Sequence, residues 1–204
     1  MGFYGRRILP RLIDFGMRSR RLAGLRERLV GEAQGRVLEI GIGSGLNLPF
    51  YRREVEAVLG IDPSPELLAR ARRQAAWVHF PIELRRGSAE ELPLDDASVD
   101  SVVTTWTLCS VADPTRALGE IRRVLRPGGA LLFLEHGQAP EPGVARWQDR
   151  LTPLWRKFAG GCHLDRPIGQ LIGAAGLRLA ALDTGYLVEG PRPFTFHYRG
   201  RALR

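Results

Sequence analysis

Val37-Leu38-Glu39-Ile40-Gly41-Ile42-Gly43-Ser44-Gly45 is a short apolar run that ends near an acid and breaks into glycines at every second position. The run reads as a buried strand, and the glycines as a sharp turn where backbone can approach a ligand closely. Their spacing differs from G-x-G-x-x-G, which seats a pyrophosphate on a helix N-terminus, so a dinucleotide is disfavoured. Glu39 would repel phosphates and suits a cationic ligand. Asp62 closes the next apolar run, Leu59-Gly60-Ile61-Asp62-Pro63-Ser64. It lies about 20 residues past Gly41, the interval expected of a carboxylate that holds two ribose hydroxyls. The alternative for Asp62 is a cap on the helix that follows.

Outward from this unit, short apolar runs alternate with amphipathic stretches, as in a parallel sheet with crossover helices. Strands are expected at about 36–40, 56–61, 80–85, 99–105, 129–135, 178–184 and 193–199. The fold class is therefore α/β, a three-layer sandwich on a mostly parallel seven-stranded sheet. Val99 to Thr105 is nearly free of charge and belongs beside the first strand. Asp113 and Pro114 open a helix with Ala117, Leu118, Ile121, Val124 and Leu125 on its apolar side. Trp147, Leu151, Leu154, Trp155 and Phe158 mark another helix, whose aromatics are expected in the core. The alternating run Phe194 to Tyr198 reads as an antiparallel edge strand.

The chain has 204 residues, 44% hydrophobic and 25% charged, enough for one globular domain without staples. It holds no run of about 20 apolar residues and no secretory pattern, so a cytoplasmic location is expected. Cys109 and Cys162 lack the paired spacing of a zinc or redox motif and are expected to be reduced and separate, so no metal is expected. The formal charge of +8 comes almost wholly from arginine, with Lys157 the only lysine. The basic residues are spread along the chain without a nucleic-acid motif, and nucleic acid is discounted as a partner. They are nevertheless dense in residues 3–30, where Arg6, Arg7, Arg11, Arg18, Arg20, Arg21, Arg26 and Arg28 interleave with Ile8, Leu12, Phe15, Leu22, Leu25 and Leu29. This segment reads as an N-terminal amphipathic helical region, interrupted near Pro10, within residues 1–34 and ahead of a domain at 35–204. It is either a lid over the ligand or a peripheral membrane-surface contact, and both readings stay open.

Taken together, the acidic glycine turn, Asp62, the segment Gly87 to Pro93 and the break Leu125-Arg126-Pro127-Gly128-Gly129 resemble the class I S-adenosylmethionine-dependent methyltransferases. That resemblance spans about residues 35–136 and implies a Rossmann-like fold with S-adenosylmethionine as cofactor. The expected cofactor-binding residues are Glu39, Gly41, Gly43, Gly45, Asn47, Asp62 and Pro63. Ser88, Ala89 and Glu90 join them on the adenine side, and Thr105 and Leu108 follow strand four.

Leu108-Cys109-Ser110-Val111, Glu135-His136, the Trp147 to Trp155 helix and Gly161-Cys162-His163-Leu164-Asp165-Arg166 are similar to the methyltransferase-like protein seven family. Its mammalian members are alkyl-thiol S-methyltransferases. The similarity implies a small hydrophobic thiol as acceptor and an N-terminal hydrophobic anchor, but residues 1–30 are arginine-rich and cannot span a bilayer. A quinone or lipid-head-group acceptor is the competing reading, and a non-catalytic cofactor-binding module a third. His136, after strand five at the carboxyl end of the sheet, is the candidate catalytic base, with a structural cap as its alternative. Trp106 either walls the pocket or fills core. Cys109 is expected to be a small buried thiol, and the His163-Asp165-Arg166 loop a structural closure.

Overall fold

The computed structural model describes Asp14 and residues 16–204. The half of the basic segment that holds Arg6, Arg7, Ile8, Pro10, Arg11, Leu12 and Phe15 lies outside the described residues. Helix α1 (Arg20–Val30) is followed by β1 (Gly35–Ile40), β2 (Val55–Asp62), α2 (Pro65–Ala75), β3 (Ile82–Arg86) and β4 (Val99–Thr105). Then come α3 (Pro114–Val124), β5 (Leu125–His136), α4 (Pro142–Phe158), α5 (Ile168–Ala174), β6 (Arg178–Tyr186) and β7 (Phe196–Leu203). Among the described residues no helix is long and apolar enough to cross a membrane.

The seven strands form one sheet in the order β3-β2-β1-β4-β5-β7-β6. Strands β1 to β5 pair in parallel, with β4 beside β1 as expected. The edge at β6 is antiparallel to its neighbour, but the last strand is not itself that edge. Strand β7 slots between β5 and β6 and pairs antiparallel with both. It also starts later than expected, because Arg192–Phe194 forms a 3-10 turn under Pro191 and Pro193. Proline supplies no ladder donor there, so pairing begins only beyond it.

Successive residues of the central strands point into opposite layers, as the pleat requires. Leu38, Ile40, Val102, Leu131 and Phe133 join Leu118 and Ile121 of α3 and Ile172 of α5 in one core. Val37, Val103, Leu132 and Leu134 join Leu25, Leu29 and Val30 of α1 in the other. Helix α3 begins as its sequence requires: the Asp113 carboxylate accepts from the Arg116 amide at 3.0 Å, and Pro114 occupies the first turn. Strand order reverses between β1 and β4, and the crevice outside their carboxyl ends is where open α/β sheets hold ligands.

Helix α4 departs from expectation. Trp147, Leu154 and Phe158 are exposed, and the fully buried positions are Gln148 and Thr152. Periodicity correctly marks an apolar row but cannot say which side of the helix meets the protein. Here polar anchoring decides it.

Candidate active site

The β1 turn is held open by backbone geometry that favours glycine. Gly41, Gly43 and Gly45 have φ of 71°, 57° and 81°. A side chain at Gly41 would overlap Thr107, and one at Gly45 would come within 2.9 Å of Leu48 and 3.2 Å of the Ala71 backbone. The amides of Gly41 and Ile42 donate to the Ile61 carbonyl at 2.8 and 3.2 Å, which locks the turn to the end of β2. Asp62 stands there. One of its oxygens accepts from the Gly43 amide at 2.9 Å and the other from the Ser64 amide at 2.8 Å. The α2 cap is Ser64, not Asp62. Asp62 therefore spans the two turns with a fixed carboxylate, which burial raises above the ordinary aspartate range.

Glu39 is fully buried beneath the turn. Its carboxylate accepts from Asn47 Nδ2 at 2.8 Å and from the Tyr51 hydroxyl at 2.7 Å. Burial pushes it up to about 7, against the pull of those two hydrogen bonds and of the Arg26 charge. Arg26 of α1 donates to the Met17 carbonyl at 2.9 Å and lies 4.8 Å from the Trp106 ring centre. Asn47 also donates to Thr105 Oγ1 at 3.0 Å, while its own Oδ1 is buried without a partner. The N-terminal segment reaches the same turn, since Asp14 accepts from the Ser44 hydroxyl and pairs with Arg70 of α2 at 2.9 Å.

This set fits the cofactor anticipated from the sequence. A buried carboxyl and an unpartnered amide oxygen face the demand of a ligand bearing ammonium and sulfonium, the turn leaves room for close approach, and Asp62 offers a rigid carboxylate to a diol. A cavity of about 280 Å³ touches Met17, Arg18, Arg26, Gly45, Leu46 and Phe50, near the low end of small-ligand sites. A second cavity of equal volume lies among Arg36, Val58, Pro81, Ile82 and Leu94, at the opposite end of the strands, away from every candidate residue.

After β3 the Glu90 carboxylate accepts from the amides of Ala112 and Asp113 at 3.0 and 3.3 Å, and from the Ser88 hydroxyl. The 88–91 and 106–113 loops are thereby fastened together. Ala89 and Leu108 pack into the first core, so only their backbone is left for a ligand.

Strand β5 ends in His136, which is buried. Its Nδ1 is 3.6 Å from Cys162 Sγ, and its Nε2 has no partner. The His197 ring lies beside it at 5.4 Å and meets Trp106 edge-on at 6.0 Å. Burial holds His197 down at about 4, and its Nδ1 donates to the Thr195 carbonyl at 2.8 Å, so this ring is neutral. Trp106 has φ of 51°, a left-handed conformation rare for a bulky side chain, held by its amide on the Leu134 carbonyl at 2.8 Å.

The two cysteines are both free, with no disulfide between them, although they come together in the fold. The Cys109 thiol lies beside that of Cys162 and, with burial and His136, splits their acidities: Cys162 is lowered to about 5, first by the Cys109 hydrogen bond, while Cys109 is pushed well up. Cys109 is buried as anticipated. Among the described residues no group of three metal-ligating side chains converges. The 162–166 loop is pinned onto 107–111: the His163 amide donates to the Cys109 carbonyl at 2.7 Å, and Arg166 donates to the carbonyls of Leu108 and Val111, the latter at 2.7 Å. Tyr51, Arg26, Thr107, Cys162 and His197 complete a site that reading by local motif did not supply. Each belongs to a turn, helix or strand remote in sequence from the residue it supports.

A methyltransferase domain model matches residues 38–133. The chain is 37% identical over 177 residues to the thiol S-methyltransferase TMT1B of Rattus norvegicus, covering 82% of this chain and 70% of that enzyme. It is 40% identical over 126 residues to a phosphatidylethanolamine N-methyltransferase of Cereibacter sphaeroides, covering 57% of this chain and 62% of the relative. In fold it matches a chain of the Haloferax volcanii complex between the Trm112 methyltransferase activator and a methyltransferase, at 22% identity and a TM-score of 0.71 over 96% and 97% of the two chains. With its acidic glycine turn, its Asp62 and its strand order, this chain belongs to the S-adenosylmethionine-dependent methyltransferases of the Rossmann-like class.

Proposed function

We propose that the enzyme methylates small apolar thiols and that His136 takes the thiol proton. The observation that carries this is the buried, unpartnered Nε2 of His136 beside a Cys162 Sγ on its Nδ1. When bound, S-adenosylmethionine supplies a methyl group on a positively charged sulfur, a group already primed to leave. Glu39, Asn47, the glycine turn and Asp62 would hold it, with Thr105 behind Asn47, Pro63 in the Asp62 turn, and the 88–90 backbone on the adenine edge. What remains for the protein is to place the acceptor in line and to convert a thiol into a thiolate.

His136 suits that second task. With Nδ1 carrying the hydrogen toward Cys162 Sγ, the lone pair is left on Nε2. Once Nε2 takes the acceptor proton, Nδ1 still holds its hydrogen toward Cys162 Sγ. The described part of the N-terminal segment, Asp14 and residues 16–34, acts as a lid on the 35–204 domain, through Asp14 on Ser44 and Arg26 between Glu39 and Trp106. The likeness to TMT1B supports a thiol acceptor. The likeness to a phosphatidylethanolamine N-methyltransferase favours the second reading, a lipid-head-group amine.

Labelled S-adenosylmethionine offered with a panel of alkyl thiols, amines, phenols and quinones decides between them. Label on thiols is the expected result, and label confined to amines or quinones would reject the thiol reading. Asp62→Ala is expected to weaken cofactor binding by about 1–3 kcal/mol in calorimetry, through loss of charge-assisted bonds. Unchanged affinity would refute its ribose role.

A further inference from the structure

Helix α4 carries its largest apolar side chains on the outside: Trp147, Leu154 and Phe158 are 56%, 58% and 57% exposed. With Leu151 they recur at helical spacing and form one row along the helix. The helix does not need that row to stay attached. On its inner face the Gln148 side chain accepts from the Ala139 amide at 2.8 Å and donates to the carbonyls of Gly137 and Pro193 at 3.0 and 3.1 Å. The Thr152 hydroxyl accepts from the Leu164 amide at 3.2 Å. Beside the apolar row, on its solvent side, Arg146, Arg150 and Lys157 are all exposed, and the Arg150 guanidinium lies 5.9 Å from the Trp147 ring centre. Asp149, the acid of this stretch, falls on the other side of the helix.

An exposed apolar row of this size on a folded protein marks a contact surface. Its cationic border selects the partner. Two copies meeting through α4 would bring like charges together, whereas an anionic lipid surface offers phosphates to the cations and acyl chains to the row. Tryptophan and long basic side chains are suited to that boundary. The chain's formal charge of +8 acts in the same direction.

We infer that α4 is a membrane-surface helix, seated on an anionic bilayer with Trp147, Leu151, Leu154 and Phe158 at the head-group boundary and Arg146, Arg150 and Lys157 on the phosphates. Its inner side carries Trp155, which packs against Phe194 with ring centres 4.7 Å apart and planes tilted by 48°, and lies beside Cys162. Docking through α4 thus places the acceptor end of the site near the interface, where apolar acceptors concentrate. The inference goes beyond the thiol reading and is tested without methyl transfer.

The test is cosedimentation of the full chain with phosphatidylcholine vesicles, with and without phosphatidylglycerol. Binding is expected on the mixed vesicles, weakened by salt, and reduced about tenfold or more in the triple variant Trp147→Ser, Leu154→Ser, Phe158→Ser. Arg146→Gln with Arg150→Gln and Lys157→Gln should lower binding to the anionic vesicles alone. Tryptophan emission should shift to the blue on vesicles, persist in Trp77→Phe and vanish in Trp147→Phe, a substitution mild enough to leave the fold intact. Unchanged S-adenosylmethionine affinity shows that the serine variant is folded. The inference fails if wild-type protein ignores anionic vesicles, or if the blue shift survives Trp147→Phe. It fails equally if vesicle binding survives the serine variant, which would place contact in the N-terminal arginines, or if that variant splits a dimer in sedimentation.

Discussion

His136→Asn is expected to lower kcat for an alkyl thiol by about 10²–10⁴-fold, the range for loss of a positioned base, while S-adenosylmethionine affinity is unchanged. Asparagine is the informative substitution because its amide nitrogen can stand where Nδ1 does and keep the contact with Cys162. Only the lone pair at the Nε2 position is lost. The same variant should be far less impaired with an acidic aromatic thiol, which reaches the site already ionised and needs no base. Equal losses for both acceptors would make His136 a structural cap. Cys162→Ala should show a weaker form of the same pattern, since Cys162 acts through the orientation of His136; its effect should be partly restored by Cys162→Ser, which keeps a hydrogen-bond acceptor at Nδ1.

That pairing could not have been read from the sequence. His136 was legible from its place at the end of an apolar strand, but its partner enters from a loop after α4, and the cysteine spacing carries no motif. The legible part of the site consists of residues whose roles follow from local geometry. Gly41, Gly43 and Gly45 need positive φ, and Glu39 and Asp62 close buried strands where a carboxylate requires a reason. Tyr51, Arg26 and His197 act across the fold, and nothing near them in sequence signals it. The same division holds for the fold. The apolar runs inside β1, β4 and β5, Val37-Leu38, Val102-Val103 and Leu131 to Leu134, announce strands buried on both faces. In β7, by contrast, aromatic and polar residues alternate in a way that suits an edge or an interior antiparallel strand equally well, and its place beside β5 is a matter of tertiary pairing. Helix α4 shows the limit of periodicity, which finds an apolar row without telling whether anything covers it.

The second large effect concerns Glu39 and should appear as a proton released when cofactor binds. Burial raises this carboxyl to about 7 in the cofactor-free protein, so near pH 6 much of it is protonated. A cationic ligand beside it favours the carboxylate, and binding must then expel the proton. Affinity for S-adenosylmethionine should therefore rise with pH up to about 7, by up to about tenfold per pH unit where the proton is fully linked. Calorimetry near pH 6 in buffers of different ionisation enthalpy measures the release directly. Glu39→Gln should abolish most of it and weaken binding, with the amide oxygen still accepting from Asn47 Nδ2 and the amide nitrogen donating to the Tyr51 oxygen. Stability of the cofactor-free protein should move the opposite way. A carboxyl raised on folding favours the native state at pH below its unfolded value, near 4.5, and that advantage is lost as pH climbs through about 7. For one such group the loss is on the order of 3 kcal/mol. Glu135, also buried and raised to about 7, contributes in the same window. Glu39→Gln should thus flatten the decline without removing it, and should make the cofactor-free protein more stable at neutral pH even as it binds cofactor less well. A variant that lost affinity but kept the wild-type proton release would show that another group, not Glu39, meets the ligand's charge.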